Sequence, residues 1–267
     1  MNKYVHGYSD FEANRLRDQA KTLDELLHHD SVFSEKSKVL EAGCGVGSQT
    51  RIIAPKNPTC EFTSIDLSEK SINNAKETIK SLGISNVLFK VDDIMNLSFL
   101  PETFDHVFVC FVLEHLSNPV QALLNLKQLI KPGGSITIIE GDHGSTFFHP
   151  NSIYAHKAIE CQVELQKRHG GNASIGREIY PLLAKAGFSS INVSPRMVYV
   201  DSGKPELVEG FIKNTFTAMI KGVEKEALEN SLITKEDFKK GIEDLYRTTQ
   251  NDGVFCYTFF KGIAIKD

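Results

Sequence analysis

Val39-Leu40-Glu41-Ala42-Gly43-Cys44-Gly45-Val46-Gly47 is the stretch that decides the fold of this chain. Its first four residues read as a buried strand, and three glycines follow at alternate positions before a short helix stopped by Pro55. A strand that ends in a glycine turn and re-enters as a helix opens a parallel sheet whose ligands bind outside the carboxyl ends of the strands. Glycine serves there because a Cβ would collide with a ligand approaching the backbone. The spacing is G-x-G-x-G. A dinucleotide fingerprint would be G-x-G-x-x-G, but its last position is Ser48.

Outward from that turn the same alternation repeats. Glu61 to Asp66 reads as a second strand, and Ser68 caps a helix with Ile72, Ala75, Ile79 and Leu82 on one face, closed by Gly83. Val87 to Val91 is a third strand and Phe104 to Cys110 a fourth. Pro119 suits the first turn of a helix over Val120 to Ile130, Pro132-Gly133-Gly134 ends it, and Ser135 to Glu140 is a fifth strand. Upstream, Ser9-Asp10-Phe11-Glu12 has capping-box spacing, and Leu16, Ala20, Leu23 and Leu27 mark one face of an opening helix. His28-His29 reads as its solvated end rather than as a metal site.

Beyond Asp142 the pattern loosens. Residues 150 to 169 and Arg177 to Ala186 read as helices, Ile191 to Val200 and Phe255 to Ile265 as strands, and 205 to 250 as two or three helices. The predicted fold is α/β: a Rossmann-like, doubly wound, seven-stranded and mostly parallel sheet with a C-terminal antiparallel hairpin and helical lid insertions. One domain is expected over residues 1–267, with a core at about 31–145 and a helical substrate lid at about 146–176 and 203–252.

Composition narrows the function. The 267 residues are 41% hydrophobic and 24% charged, as in an ordinary globular protein, and the net charge of −4 argues against a nucleic-acid partner. No apolar run is long enough for a membrane span, and the N-terminus has no secretion signal. The five cysteines are scattered without a CxxC pair, so neither a metal nor a disulfide framework is expected, and a cytoplasmic setting is.

The stretch at 39–47, with four further elements in order, resembles the class I S-adenosylmethionine-dependent methyltransferases over about residues 36 to 142. These elements are Ile65-Asp66-Leu67-Ser68, Val91-Asp92-Asp93-Ile94-Met95-Asn96-Leu97, Phe104-Asp105-His106-Val107 running to Leu113-Glu114-His115-Leu116, and Leu129-Ile130-Lys131-Pro132-Gly133-Gly134. The resemblance implies S-adenosyl-L-methionine as cofactor. It places Gly43, Cys44 and Gly45 at the methionine part, with Glu41 behind them. Asp66, with Leu67 beside it, faces the ribose hydroxyls, paired donors that suit a bidentate acceptor. Asp93 accepts from the adenine amino group, with Asp92 one residue of register away, and Ile94 lies beside the ring. Cys110 falls near the methionine moiety. An N-terminal tyrosine, Tyr8, closes over the cofactor or is an ordinary surface aromatic. Gln49 binds the methionine carboxylate or is a polar residue at a helix start.

Methyl transfer is an in-line displacement that needs positioning, and a base if the acceptor is a hydroxyl or a protonated amine. Glu140-Gly141-Asp142-His143-Gly144-Ser145 follows the fifth strand, and His143 is the candidate base, against a purely structural hydrogen bond. Phe147, Phe148, Tyr154, Phe211, Phe216 and Met219 are lid aromatics and apolars that line a pocket or pack a core. Arg177 receives an anionic group or sits in a first helical turn. The expected partner is a small-molecule methyl acceptor. Protein methylation, a non-catalytic cofactor-binding module and an NAD-dependent dehydrogenase are the alternatives, and the oligomeric state is open.

Overall fold

The computed structural model describes residues 10–267, apart from the side chains of residues 10–14 and 17. Tyr8 and the capping serine Ser9 therefore lie outside the described residues. Seven strands form one sheet in the order β3-β2-β1-β4-β5-β7-β6. They are β1 (Lys38–Ala42), β2 (Glu61–Asp66), β3 (Val87–Val91), β4 (Phe104–Cys110), β5 (Ile130–His149), β6 (Ser189–Asp201) and β7 (Val254–Ile265). Strands β1 to β5 pair in parallel, and β7 runs antiparallel between β5 and β6. The order reverses at β1 and β4, so the carboxyl ends of those two strands flank the crevice where such sheets bind ligands.

Helices α2 (Thr50–Lys56), α3 (Glu69–Ser81) and α4 (Pro119–Leu129) make the crossovers. Ser68 caps α3 by accepting from Ser71 N at 3.2 Å, and Asn118 caps α4 with Pro119 in its first turn. Ile72, Ala75 and Ile79 are buried as their spacing requires, but Leu82 is the exposed C-cap of α3. Pro55 sits inside the last turn of α2 rather than ahead of its end. On one face of the sheet, Leu123 and Leu126 of α4 pack with Leu182 and Leu183 of α6 (Ile179–Lys185). The opposite face carries Leu23 and Leu27 of α1 (Asp10–His28), Ile53 of α2, α5 (Ile153–Arg168) and the helices after β6.

Those late helices run as α7 (Pro205–Leu207), a π-helical stretch Val208–Thr217, α8 (Ala218–Gly222), α9 (Glu224–Glu229) and α10 (Lys235–Arg247). The π-helical stretch leans on α1 at Gly210, where a Cβ would stand 2.3 Å from Thr22 Oγ1. Helix α10 leans on α5 at Gly241, where a Cβ would stand 2.5 Å from Tyr154 O. The end of α1 is fixed to β7 by Lys261, a 1% exposed cation that donates to Leu27 O (3.2 Å), Asp30 Oδ1 (2.6 Å) and Ser31 Oγ (2.9 Å). A buried ammonium persists only when its donors are satisfied in this way. Among the described residues, no helix is long and apolar enough to cross a membrane.

Candidate active site

The glycine loop leaves β1 with Gly43, Gly45 and Gly47 at φ of 82°, 53° and 79°. Their surroundings differ. A Cβ on Gly43 would lie 2.4 Å from Val112 Cγ2 and one on Gly47 3.2 Å from Ala75 Cβ, whereas one on Gly45 would meet nothing within 4 Å. Gly43 and Gly47 are thus small so that the loop can close against the β4 connection and α3. Gly45 presents an open backbone face.

Asp66, at the end of β2, holds that face in place. Its Oδ2 accepts from Gly45 N and its Oδ1 from Ser68 N, both at 2.9 Å. Burial raises its carboxyl above the usual range, against the pull of the Ser68 and Gly45 amides. Leu67, the next residue, is half exposed beside it. Asp93 lies in the turn after β3 with its Oδ1 accepting from Met95 N at 2.8 Å, and Ile94 packs partly against the core. Asp92 turns elsewhere, to Ser98 Oγ at 2.6 Å and Lys90 Nζ at 3.1 Å.

Behind the loop, Glu41 is 2% exposed, and its Oε2 accepts from Thr50 Oγ1 and Ser64 Oγ, both at 2.6 Å. Burial pushes its carboxyl up to about 7, outweighing the two hydroxyl donors. Gln49 Oε1 accepts from His28 Nε2 at 2.8 Å, so His28 carries a structural bond to the loop. This corrects the reading of a solvated helix end: His28 is fully buried, and burial drives its pKa down to about 4. Helix amphipathicity did not show it because the ring is enclosed by Phe108 of β4, Gln49 and Ser31, which lie outside the helix. Cys44 and Cys110 are buried thiols near the loop, each raised well above its usual value, chiefly by burial.

The chain turns sharply at the end of β4. Phe111 has a φ of 58°, a left-handed conformation disfavoured for a side chain of its size. The turn lets Val112 N (2.9 Å) and Leu113 N (2.7 Å) donate to Glu140 Oε1, midway along β5. That strand starts at Ile130 and continues past the expected end at Glu140 to His149, taking in His143. Glu140 is fully buried, its Oε2 has no partner, and burial followed by the nearby Glu114 charge raises its pKa well above the usual value.

This turn also walls a cavity of about 70 Å³. Phe111 and Glu114 line it from the β4 side, Gly141 and His143 from β5, Phe211 and Phe216 from the π-helical stretch, and Arg15 from α1. Val112 thus touches the glycine loop, while its neighbour Phe111 lines the cavity. His143 is 7% exposed, and its Nδ1 lies 3.0 Å from Ala173 O and 3.0 Å from Tyr257 Oη. A carbonyl only accepts, so Nδ1 carries the ring proton and Nε2 keeps a bare lone pair. That Nε2 is buried with no partner. Burial lowers the imidazole pKa, which keeps the ring neutral at pH 7.

The cavity sorts the remaining residues. Phe211, Phe216 and Met219 line it, but Phe147 is exposed, Phe148 stacks on His156 in the core, and Tyr154 lies on a separate surface depression. Arg177 is held bidentately by Asp142, with both contacts at 2.8 Å, and Asp142 Oδ1 also accepts from Gly144 N. Arg15, Glu114, Tyr257 and Phe259 also line the cavity without having been singled out for it. Glu114 lies in the element Leu113-Glu114-His115-Leu116, but Arg15, Tyr257 and Phe259 reach the cavity from α1 and β7 with no motif beside them.

Residues 33–187, more than half of the chain, match the methyltransferase domain family. The chain is 30% identical over 162 residues to an uncharacterized methyltransferase of Schizosaccharomyces pombe, a match covering 58% of each chain. It is 27% identical over 195 residues to a malonyl-[acyl-carrier protein] O-methyltransferase of Paenibacillus, covering 72% of this chain and 70% of that one. A putative methyltransferase structure from Bacillus halodurans aligns with a TM-score of 0.58 at 16% identity, over 92% of this chain and 98% of the other. Phosphoethanolamine N-methyltransferase 2 of Haemonchus contortus, solved with phosphomonomethylethanolamine and S-adenosylhomocysteine, aligns with a TM-score of 0.55 at 18% identity, over 88% of this chain and 50% of that one. The matched region thus spans little more than half of the fission-yeast relative and half of the nematode chain. The strand order, the glycine loop joined to the acid after β2, and the matched domain together make this chain a member of the class I S-adenosylmethionine-dependent methyltransferases.

Proposed function

We propose that the chain methylates a small molecule seated in the cavity beside β5, with His143 Nε2 as the general base. The observation that carries this reading is the bare, buried Nε2 of His143, a residue that lines a cavity whose wall is the turn that touches the glycine loop. When bound, S-adenosylmethionine supplies an electrophilic methyl group on its sulfonium. In this reading the open face at Gly45 admits the cofactor, with Gly43 and Cys44 at its methionine part and Glu41 supporting the loop from behind. Asp66 accepts from the ribose hydroxyls, Leu67 and Ile94 flank the adenine, and Asp93 accepts from its amino group. Gln49, steadied by His28, and Tyr8 serve the methionine end, with Cys110 below it.

The chain's own contribution is alignment and proton removal. Holding acceptor and methyl group in line supplies much of the rate. His143 needs no prior deprotonation, because burial already keeps it neutral. The regions 146–176 and 203–252 act as the lid in this scheme, together with α1. Relatives named for oxygen and nitrogen acceptors alike support methyl transfer without choosing the atom.

The test is a screen of small acceptors with methyl-labelled S-adenosylmethionine. For any acceptor turned over, His143→Ala is expected to cut kcat by roughly 10²–10⁴-fold while S-adenosylhomocysteine affinity is kept. Unchanged turnover in that variant would remove His143 from the mechanism.

A further inference from the structure

A single buried carboxyl holds the turn that the glycine loop and the cavity share. Glu140 of β5 accepts at Oε1 from Val112 N (2.9 Å) and Leu113 N (2.7 Å), and the Glu114 amide draws on the same carboxyl. These amides follow Phe111, whose φ of 58° persists only where its surroundings over-determine it. The far end of the turn is held separately, since Glu114 O accepts from Asn172 N at 2.8 Å and from Gln166 Nε2 at 3.0 Å. Glu140 therefore sets the near end. There the Val112 side chain abuts Gly43, its Cγ2 only 2.4 Å from where a Cβ would stand, and Phe111 lines the cavity.

Burying a carboxyl whose Oε2 has no partner costs stability, so stability alone does not account for this clamp. We infer that Glu140 is a positioning residue for methyl transfer: through one turn it seats Val112 behind the glycine loop and Phe111 and Glu114 on the wall of the acceptor cavity. The cofactor side of this rests on the glycine loop. The acceptor side rests on the proposed function, since it takes the cavity to be the acceptor site. Burial, then the Glu114 charge, hold the carboxyl well above its usual pKa and so favour the neutral acid. Oε1 of a neutral acid is a carbonyl oxygen, which a glutamine reproduces.

Amide hydrogen exchange and calorimetric titration with S-adenosylhomocysteine, on Glu140→Leu, Glu140→Gln and Val112→Ala, test the cofactor side. In Glu140→Leu the Val112 and Leu113 amides should exchange roughly tenfold faster or more, while Val107 and Val109 of β4 keep their protection. Affinity should fall roughly tenfold, and Glu140→Gln should restore both. Val112→Ala should also weaken binding, and the double variant Glu140→Leu with Val112→Ala should bind no worse than the weaker single one, because both act through one contact. Wild-type affinity in a folded Glu140→Leu, no rescue by glutamine, or losses that multiply in the double variant would overturn the inference. If Glu140→Leu does not fold, wild-type affinity in Val112→Ala or unprotected turn amides in Glu140→Gln would still overturn it.

The acceptor screen tests the other side and separates the two readings. For any acceptor turned over at saturating S-adenosylmethionine, Glu140→Leu should lower kcat roughly tenfold or more, with recovery in Glu140→Gln. Full kcat in a folded Glu140→Leu would overturn the acceptor side even where His143→Ala is inactive. Full turnover in His143→Ala alongside Glu140-dependent cofactor binding would remove the base and leave the Glu140 clamp standing.

Discussion

Gly43→Ala and Gly45→Ala form a matched pair, two residues apart in one loop, whose effects should separate folding from binding. Both glycines have positive φ, 82° and 53°, so a Cβ at either costs about 1–2 kcal/mol in backbone strain. At Gly43 the new methyl would also lie 2.4 Å from Val112 Cγ2 and 3.1 Å from Val112 Cγ1. Relieving that overlap costs roughly 1–3 kcal/mol more, because Val112 N is tied to Glu140 and its side chain cannot retreat freely. Gly43→Ala should therefore lose about 2–5 kcal/mol of stability, and Gly45→Ala only about 1–2 kcal/mol. Affinity should show a different contrast. The Gly45 methyl would enter the open face proposed for the cofactor and weaken S-adenosylhomocysteine by roughly tenfold or more. Urea unfolding followed by circular dichroism gives the first quantity, and calorimetric titration gives the second. Equal loss of stability in both variants, or wild-type affinity in Gly45→Ala, would refute the reasoning.

Asp66→Ala should weaken S-adenosylhomocysteine by about 1.5–3 kcal/mol, the range for hydrogen bonds to a charged group, and calorimetry showing wild-type affinity would remove the ribose assignment. For Glu41 the carboxyl titrates at about 7 when folded, against an ordinary 4.5. Its contribution is thus present in full below pH 4.5 and is lost as pH rises to about 7. Stability of the wild type relative to Glu41→Gln should fall by roughly 2–3 kcal/mol across that window, and parallel unfolding curves would contradict it. For His143 the pKa is lowered by burial, so activity should hold below pH 6.5 and decline only at a lower pH, where the imidazole charges. An acid limb centred above pH 6.5 would place the titrating group elsewhere.

The alternating core was legible because local rules and global fold agree there. Helices α3 and α4 announce themselves by the cap Ser68 and the first-turn Pro119, whereas α2 has no side-chain cap and is marked by the glycine loop before it. The glycine loop was legible because φ > 0 and close approach both demand glycine. The acid after β2 was legible because it follows at fixed chain distance. What the sequence hid was convergence. Arg15, Glu114 and Tyr257 meet His143 only through the packing of α1, the β4 turn and β7, and nothing near them in the chain records that meeting. His28 was misjudged because a histidine beside another histidine at a helix end resembles a solvated terminus. Its burial comes from Phe108 of β4 and from Gln49 just ahead of α2. The π-helical turn at Val208–Thr217 was likewise invisible, since its apolar spacing is that of an ordinary helix.

The most direct measurement is calorimetric titration of the protein with S-adenosylmethionine and, in parallel, NAD. Saturable binding of S-adenosylmethionine with no heat from NAD, weakened in Gly45→Ala and Asp66→Ala, is the result expected. Binding of NAD alone, or S-adenosylmethionine affinity indifferent to both substitutions, would contradict the assignment of the glycine loop as the cofactor site.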